Sequence, residues 1–492
     1  MKLRLFRKVT TFLCMVLVLA TGSTSFVQAA TDVPYDTYNY DYREYIVHTP
    51  AAYVPSGSIS AVTFGLVAFN NPQDMFVAKN GYVYIADTGN NRIVVLNNKM
   101  DQLITEIKDF QNGDTLDTFN KPSGVAVSES NQLYIADTEN KRVVVLEEGK
   151  LVKIIENPQS DLLDEKFEFK PLKVSVDYAD RVYCIANGVF EGIMAFESNG
   201  SFTGYFGTIN VTLTLEEKIW IRISTKAERS KQQLYIPTEF TGMDLDENGF
   251  LYTTNYDSSG TQGIRRLNPK GEDVIVMGEN KKLAGDIYSG GMTLYSGHST
   301  IVDVVYRGKG IYSVVDSRRG RIFTYDHEGS LLYIFGGLGS QAGTFKIPAA
   351  IESIDNNLLV LDSYRGEILV FSETRYGELI NDAVELRYDG DEKQAVDKWK
   401  EVLKYDENFE LANVGIGKAY LTAGDNEQAM KYLKLGMSKR YYSIAYKRYR
   451  NEILKANLGY ILTAGIVLIV GVRVVIRVRR KRKGAEGKEA LL

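Results

Sequence analysis

Histidine and cysteine are almost missing from this chain: its 492 residues include three histidines and two cysteines. His48, His298 and His327 are too few for chemistry that needs a cluster of about three imidazoles, as a zinc-dependent lyase would. Cys14 lies in a segment expected to be removed, which leaves Cys184 alone, so no internal disulfide can form and stability must come from buried apolar area. No Gly-x-Ser-x-Gly elbow, phosphate-binding loop or Cys-x-x-Cys pair occurs. Positive charge is also outnumbered by negative over most of the chain. The formal net charge is −4, but four basic residues at the start and a net six positive charges from Arg473 onward leave the part between near −14. Such a surface repels nucleic acid.

The two ends carry targeting signals. Lys2, Arg4, Arg7 and Lys8 precede an apolar run over 12–20 and the small-residue stretch Val27, Gln28, Ala29. This predicts a signal peptide over 1–29, cleaved after Ala29. The apolar core is short of the roughly 20 residues a span needs, which weighs against an uncleaved anchor. Cys14 has no lipobox around it. Near the other end, 458–472 carries no charge, and Val474, Val475 and Ile476 extend it past Arg473. The pattern predicts one transmembrane helix over 457–478, with Arg473 and Arg477 reaching back to the headgroups. The alternative, a basic helix lying on the surface, would show an apolar stripe, whereas 461–472 is apolar all round. Lys and Arg flanking a span stay in the cytoplasm, so the tail 479–492 is expected inside and everything before the span outside, at a cell membrane.

What the chain has in quantity is tyrosine, 32 residues, and glycine, 43, the composition of many short strands with tight turns. The stretch YIADTGNNRIVVL over 84–96 returns as YIADTENKRVVVL over 134–146, an offset of 50 that also relates Pro72 to Pro122. Degenerate copies end at Asn187, Asn255, Asp316 and Asp362, making six units. A unit of three or four short strands cannot bury both its faces; stacked radially, each sheet covers the next. The expected fold is mainly β, a six-bladed β-propeller over 59–373, preceded by an extracytoplasmic segment over 30–58 and closed by a strand near 59–64.

The repeat resembles the NHL-repeat family, through Asp87, Asn90 and Arg92 in the first unit and Asp137, Asn140 and Arg142 in the second. Later units drift: Asn187 and Asn255 replace the Asp, and Glu367 stands where Arg is expected. The resemblance implies the propeller fold and leaves function open. The recurring Asp could be read as a ring of metal ligands, but at a strand end it is better suited to accept turn amides or pair with the nearby Arg.

Two further segments stand apart. An insertion over 208–240 separates units three and four and reads as a helix, with a capping box from Thr214 to Glu217 and Leu215, Ile219, Trp220 and Ile223 on one face. It is either a local cover for an edge or a partner contact through Trp220 and Arg222. After the propeller, Ala383, Leu386, Gly390, Ala395 and Trp399 align with Gly417, Tyr420, Gly424, Ala429 and Leu433 at an offset of 34. These positions resemble two degenerate tetratricopeptide units, giving a tetratricopeptide-like α-helical domain over 376–455 that serves as a spacer or binds a protein.

In a propeller the first strand of each blade lines the central channel. The residue after the Pro position and its successor are then Gln73-Asp74, Ser123-Gly124, Leu172-Lys173, Thr241-Gly242, Val302-Asp303 and Ala349-Ala350. Asp74, Lys173 and Asp303 are the expected ligand-binding residues at the channel mouth. Propellers of the gluconolactonase type would hold a divalent cation there with Glu, Asn and Asp, but this set has no Asn, and Lys173 would compete with a cation. Two function classes follow: a surface binding and scaffolding protein, or a cation-dependent ectoenzyme with Asp74 and Asp303 as ligands. The sequence favours the first, with no cofactor, no metal and no catalytic residue expected. The partner would be a protein or a cell-envelope glycan, and a solute-uptake complex is a compatible associate.

Overall fold

The computed structural model describes residues 33–163, 166–208, 239–256, 263–278, 283 and 299–489, with side chains up to 480. The expected leader 1–29 and residues 209–238 of the insertion, Trp220 and Arg222 among them, lie outside the described residues. The chain divides into two compact units, Met1–Glu378 and Leu379–Leu492.

The first unit is a six-bladed β-propeller. Each blade is an antiparallel sheet, its strands in sequence order from the inside out except where N-terminal strands join the outer edges of the fifth and sixth, and the innermost strands are Asp74–Val77, Pro122–Val127, Pro171–Val176, Glu239–Leu245, Ile301–Gly308 and Pro348–Ile354. Apolar clusters fill the spaces between successive sheets; one brings Tyr134, Val143 and Val145 of the second blade against Val174, Cys184 and Met194 of the third. The repeated aspartate works as a latch. Asp87, fully buried, accepts the backbone N–H of Asn70 at 2.8 Å on one oxygen and Asn90 Nδ2 and Arg92 Nε at 2.8 and 2.6 Å on the other. Asp137 repeats the arrangement with Asn120, Asn140 and Arg142 at 2.7, 2.9 and 2.8 Å. Each carboxylate thereby ties the segment entering its blade to the end of the second strand, and every lone pair it uses is spent on structure.

Closure of the ring differs from expectation. Tyr53–Ile59 pairs antiparallel with Glu367–Glu373 and supplies the outermost strand of the sixth blade, while Ala61–Phe64, inside the range expected for it, is a 3-10 turn ending on Gly65 at φ +74°. Pro55, Ser56 and Gly57 read as breakers, yet an outermost strand tolerates them because one of its edges needs no ladder partner. Val370 and Phe371 shift register opposite Pro55 and Gly57. A second addition was not expected: the hairpin Tyr38–Tyr40 and Ile46–His48 extends the fifth blade outward, through Tyr38 opposite Ile334.

The second unit is helical. Helix α1, Arg375–Tyr388, leads into it; α2, α3 and α4 are Glu392–Tyr405, Glu410–Ala423 and Asn426–Leu435, and α5 runs unbroken over Lys439–Glu489. Asp391 and Asp425, 34 residues apart, cap α2 and α4 by accepting from Gln394 and Gln428 N–H at 3.1 and 3.0 Å. Gly415 and Gly417 let α3 approach its neighbours closely: a Cβ on the first would stand 2.4 Å from the Trp399 ring nitrogen, and one on the second 2.6 Å from Leu433 Cγ. The final helix is long and apolar enough over Lys439–Arg480 to cross a membrane, with a mean hydropathy of 2.3 in its most apolar stretch.

Candidate functional site

The third residue of the inner-strand motif alternates large and small around the ring: Asp74, Gly124, Lys173, Gly242, Asp303, Ala350. Packing explains the alternation. A Cβ at Gly124 would lie 2.8 Å from Lys173 Cα, and one at Gly242 would lie 2.5 Å from Asp303 Cα, so two inner strands can approach their neighbours only without a side chain. In five of the blades a register shift at this point, as between Pro171 and Lys173, lifts the intervening residue out of the ladder. Both the second and third residues of the motif can then face the channel mouth.

The three charged side chains come together. Lys173 Nζ is bonded to Asp74 Oδ1 and stands 3.5 Å from Asp303 Oδ2, with the side chains only 13%, 7% and 7% exposed. The aspartates also receive backbone donors from the next blade: Asp74 Oδ2 accepts Val125 N–H at 2.9 Å, and Asp303 Oδ2 accepts Ile351 N–H at 3.0 Å. One ammonium and two amides thus join inner strands of different blades across the axis. Burial pushes the Asp303 carboxyl up to about 7 against the pull of Lys173, and the Asp74 charge adds to the rise. Burial likewise raises Asp74, with Lys173 opposing it. For Lys173 burial acts to lower the ammonium, but the charges of Asp303 and Asp74 outweigh it and hold it above the ordinary lysine value.

Two residues further along the strands, the alternation of a β-strand places a second acidic pair on the same face, which the sequence reading did not single out. Asp244 Oδ2 accepts Tyr306 N–H at 2.6 Å and Oδ1 accepts Leu245 N–H at 2.8 Å. Glu352 Oε2 accepts Ser353 N–H at 3.3 Å. Burial raises Asp244 to about 6, and it raises Glu352 well above the carboxylate range, reinforced by the charges of Asp244 and Asp303. Both line a cavity of about 250 Å³ at the carboxyl ends of the inner strands. Carrying the motif two residues on in the blades where its third residue is small, from Gly242 and Ala350, would have found this layer.

The opposite mouth, at the amino ends of the inner strands, is wider. It holds a cavity of about 510 Å³ lined by Lys173 at its floor and by Gln73, Asn187, Phe240, Ile347 and Ser363 around it. Ile347 is 50% exposed and Tyr364, next to Ser363, is 73% exposed. Ser363 Oγ donates to Ile347 O at 3.1 Å, so its remaining capacity toward solvent is as an acceptor. The cation reading of Asp74 and Asp303 meets a physical obstacle here, because their oxygens already face an ammonium and two amides. Among the described residues no group of three or more His, Cys, Asp or Glu is placed to hold a metal ion.

The NHL repeat family model matches residues 69–96 and 119–146, the first two blades up to the ends of their third strands. Solved structures similar to this chain include a streptogramin B lyase, at 11% identity over 69% of this chain and 87% of that one, with a TM-score of 0.38. A catalytically inactive variant of virginiamycin B lyase from Staphylococcus aureus, with quinupristin, matches at 11% identity over 70% and 97% of the two chains, with a TM-score of 0.39. A protein classed provisionally as a gluconolactonase matches at 11% identity over 66% and 94%, also at 0.39. No curated protein matches the chain. At this identity the likenesses bear on no activity.

Proposed function

We propose that this chain is a membrane-anchored extracytoplasmic recognition and scaffolding protein. Its propeller binds a protein or an envelope glycan at the wider channel mouth, and its helical repeats, read as tetratricopeptide-like, act as a second contact or a spacer. The observation that carries this reading is the closed charge cluster under an open cavity. Asp74, Lys173 and Asp303 satisfy one another and backbone amides, so they form a floor, and the open, mixed polar and apolar rim above them is left for a partner. The leader and the basic-flanked apolar helix support the placement outside the cell membrane, where association with a solute-uptake complex is compatible.

The rim is the place to test it. Ile347→Arg with Asn187→Ala changes two exposed side chains that line the mouth without touching the floor, so the melting temperature should stay within about a degree or two of wild type. Crosslinking of the membrane-bound protein in cells should yield an envelope component that the double variant captures at least tenfold less well. Equal capture by a folded variant would remove the mouth from the recognition surface.

A further inference from the structure

The extramembrane half of α5 has a polarity of its own. Between Lys439 and Asn457 there are six basic residues, Lys439, Arg440, Lys447, Arg448, Arg450 and Lys455, against a single acid, Glu452. At about 100° per residue all six basic positions fall within one half of the helix circumference. The other half is the packing face: Ala445 is fully buried in a cluster with Leu421, Ala429 and Leu433, and Tyr441 and Tyr442 pack against that cluster. The acid is taken, since Glu452 accepts Asn426 Nδ2 at 2.7 Å. Among the described residues no ion pair holds Lys439, Lys447, Arg450 or Lys455, and Arg448 donates to Leu421 O at 3.1 Å.

Its position supplies the partner. The helix continues without a break into the apolar stretch, so Lys455, Arg450 and Lys447 stand about 5, 12 and 17 Å along the axis from Leu458, from about half to about two Debye lengths at physiological salt. Tyr460, 79% exposed at the start of the apolar stretch, is a side chain of the kind that settles at headgroup level. We infer that this face binds anionic phospholipid headgroups on the outer side of the membrane, the eight basic residues from Arg473 onward outnumbering its six and so keeping the tail as the cytoplasmic flank. The inference rests on the proposed membrane anchoring, and its strength grows with each cation held near the surface. A tilt of the span toward the cationic side brings Lys447 and Arg450 closer to the surface and fixes the rotation of the helix about its axis.

The full chain reconstituted in nanodiscs of purely zwitterionic phosphatidylcholine, or of phosphatidylcholine with phosphatidylglycerol, gives the test. Lysine acylation is followed by mass spectrometry, with Lys99, an exposed propeller residue, as internal reference. Lys447 and Lys455 should acylate at least threefold more slowly, relative to Lys99, in the anionic discs. High salt should erase the difference, and Arg450→Glu should reduce it. Equal relative rates in the two lipids overturn the inference while leaving the anchor intact. A chain that enters neither disc, or that alkaline carbonate strips from cell membranes, overturns the anchor and the inference together.

Discussion

Asp137 shows how a motif residue can be read twice and decided once. Its carboxylate is fully buried and holds Asn120 N–H, Asn140 and Arg142, so its removal strands three donors. Asp137→Ala should therefore destabilise the propeller by roughly 1–3 kcal/mol, seen as a lower midpoint in urea, with partner capture intact in the folded fraction. Unchanged stability with lost capture would return the residue to a binding role. The channel carboxyls make a separate prediction. Burial pushes Asp303 and Asp244 up to about 7 and about 6, above the ordinary value near 4, and it raises Glu352 well above that value too. The folded state then keeps protons that the unfolded state releases, so the contribution is fully present below about pH 4, falls as pH rises through about 6 and 7, and levels off above. Glu352→Gln keeps an acceptor for Ser353 N–H and removes the buried charge. It should raise the melting temperature more at pH 8 than at pH 5; an equal shift at both would show that the carboxyl ionises freely.

At the scale of elements, the blades were legible because their signal is local and repeated. Asp, Asn and Arg at fixed offsets, with β-branched runs between turns, specify each sheet without reference to its neighbours. The closing strand was misplaced because Pro55 and Gly57 lower its strand propensity, and its pairing with Glu367–Glu373 is a contact across some 310 residues that no local pattern encodes. The fifth blade's extra hairpin was hidden for the same reason, since Tyr38–Tyr40 is a strand only by virtue of the edge it joins. The places of Asp74, Lys173 and Asp303 on the inner strands were legible from the motif, but their mutual pairing depends on blade order around the ring. Asp244 and Glu352 escaped because the motif was read at its start and not carried one period further.

On the scale of the whole molecule, an acidic, cysteine-poor propeller is followed by a helical segment that runs unbroken through an apolar span into a basic tail. Everything proposed about recognition depends on the orientation of that span. The most direct measurement uses the chain's own chemistry: Cys184 is fully buried and burial raises its thiol, so it is silent to reagents in the folded protein. Lys99→Cys places a thiol on the exposed propeller surface, and Gly484→Cys places one in the tail. With a membrane-impermeant maleimide, the proposed topology predicts labelling at position 99 in intact cells and at position 484 only after lysis. Labelling at 484 in intact cells, or protection of 99 until the cells are broken, would contradict it.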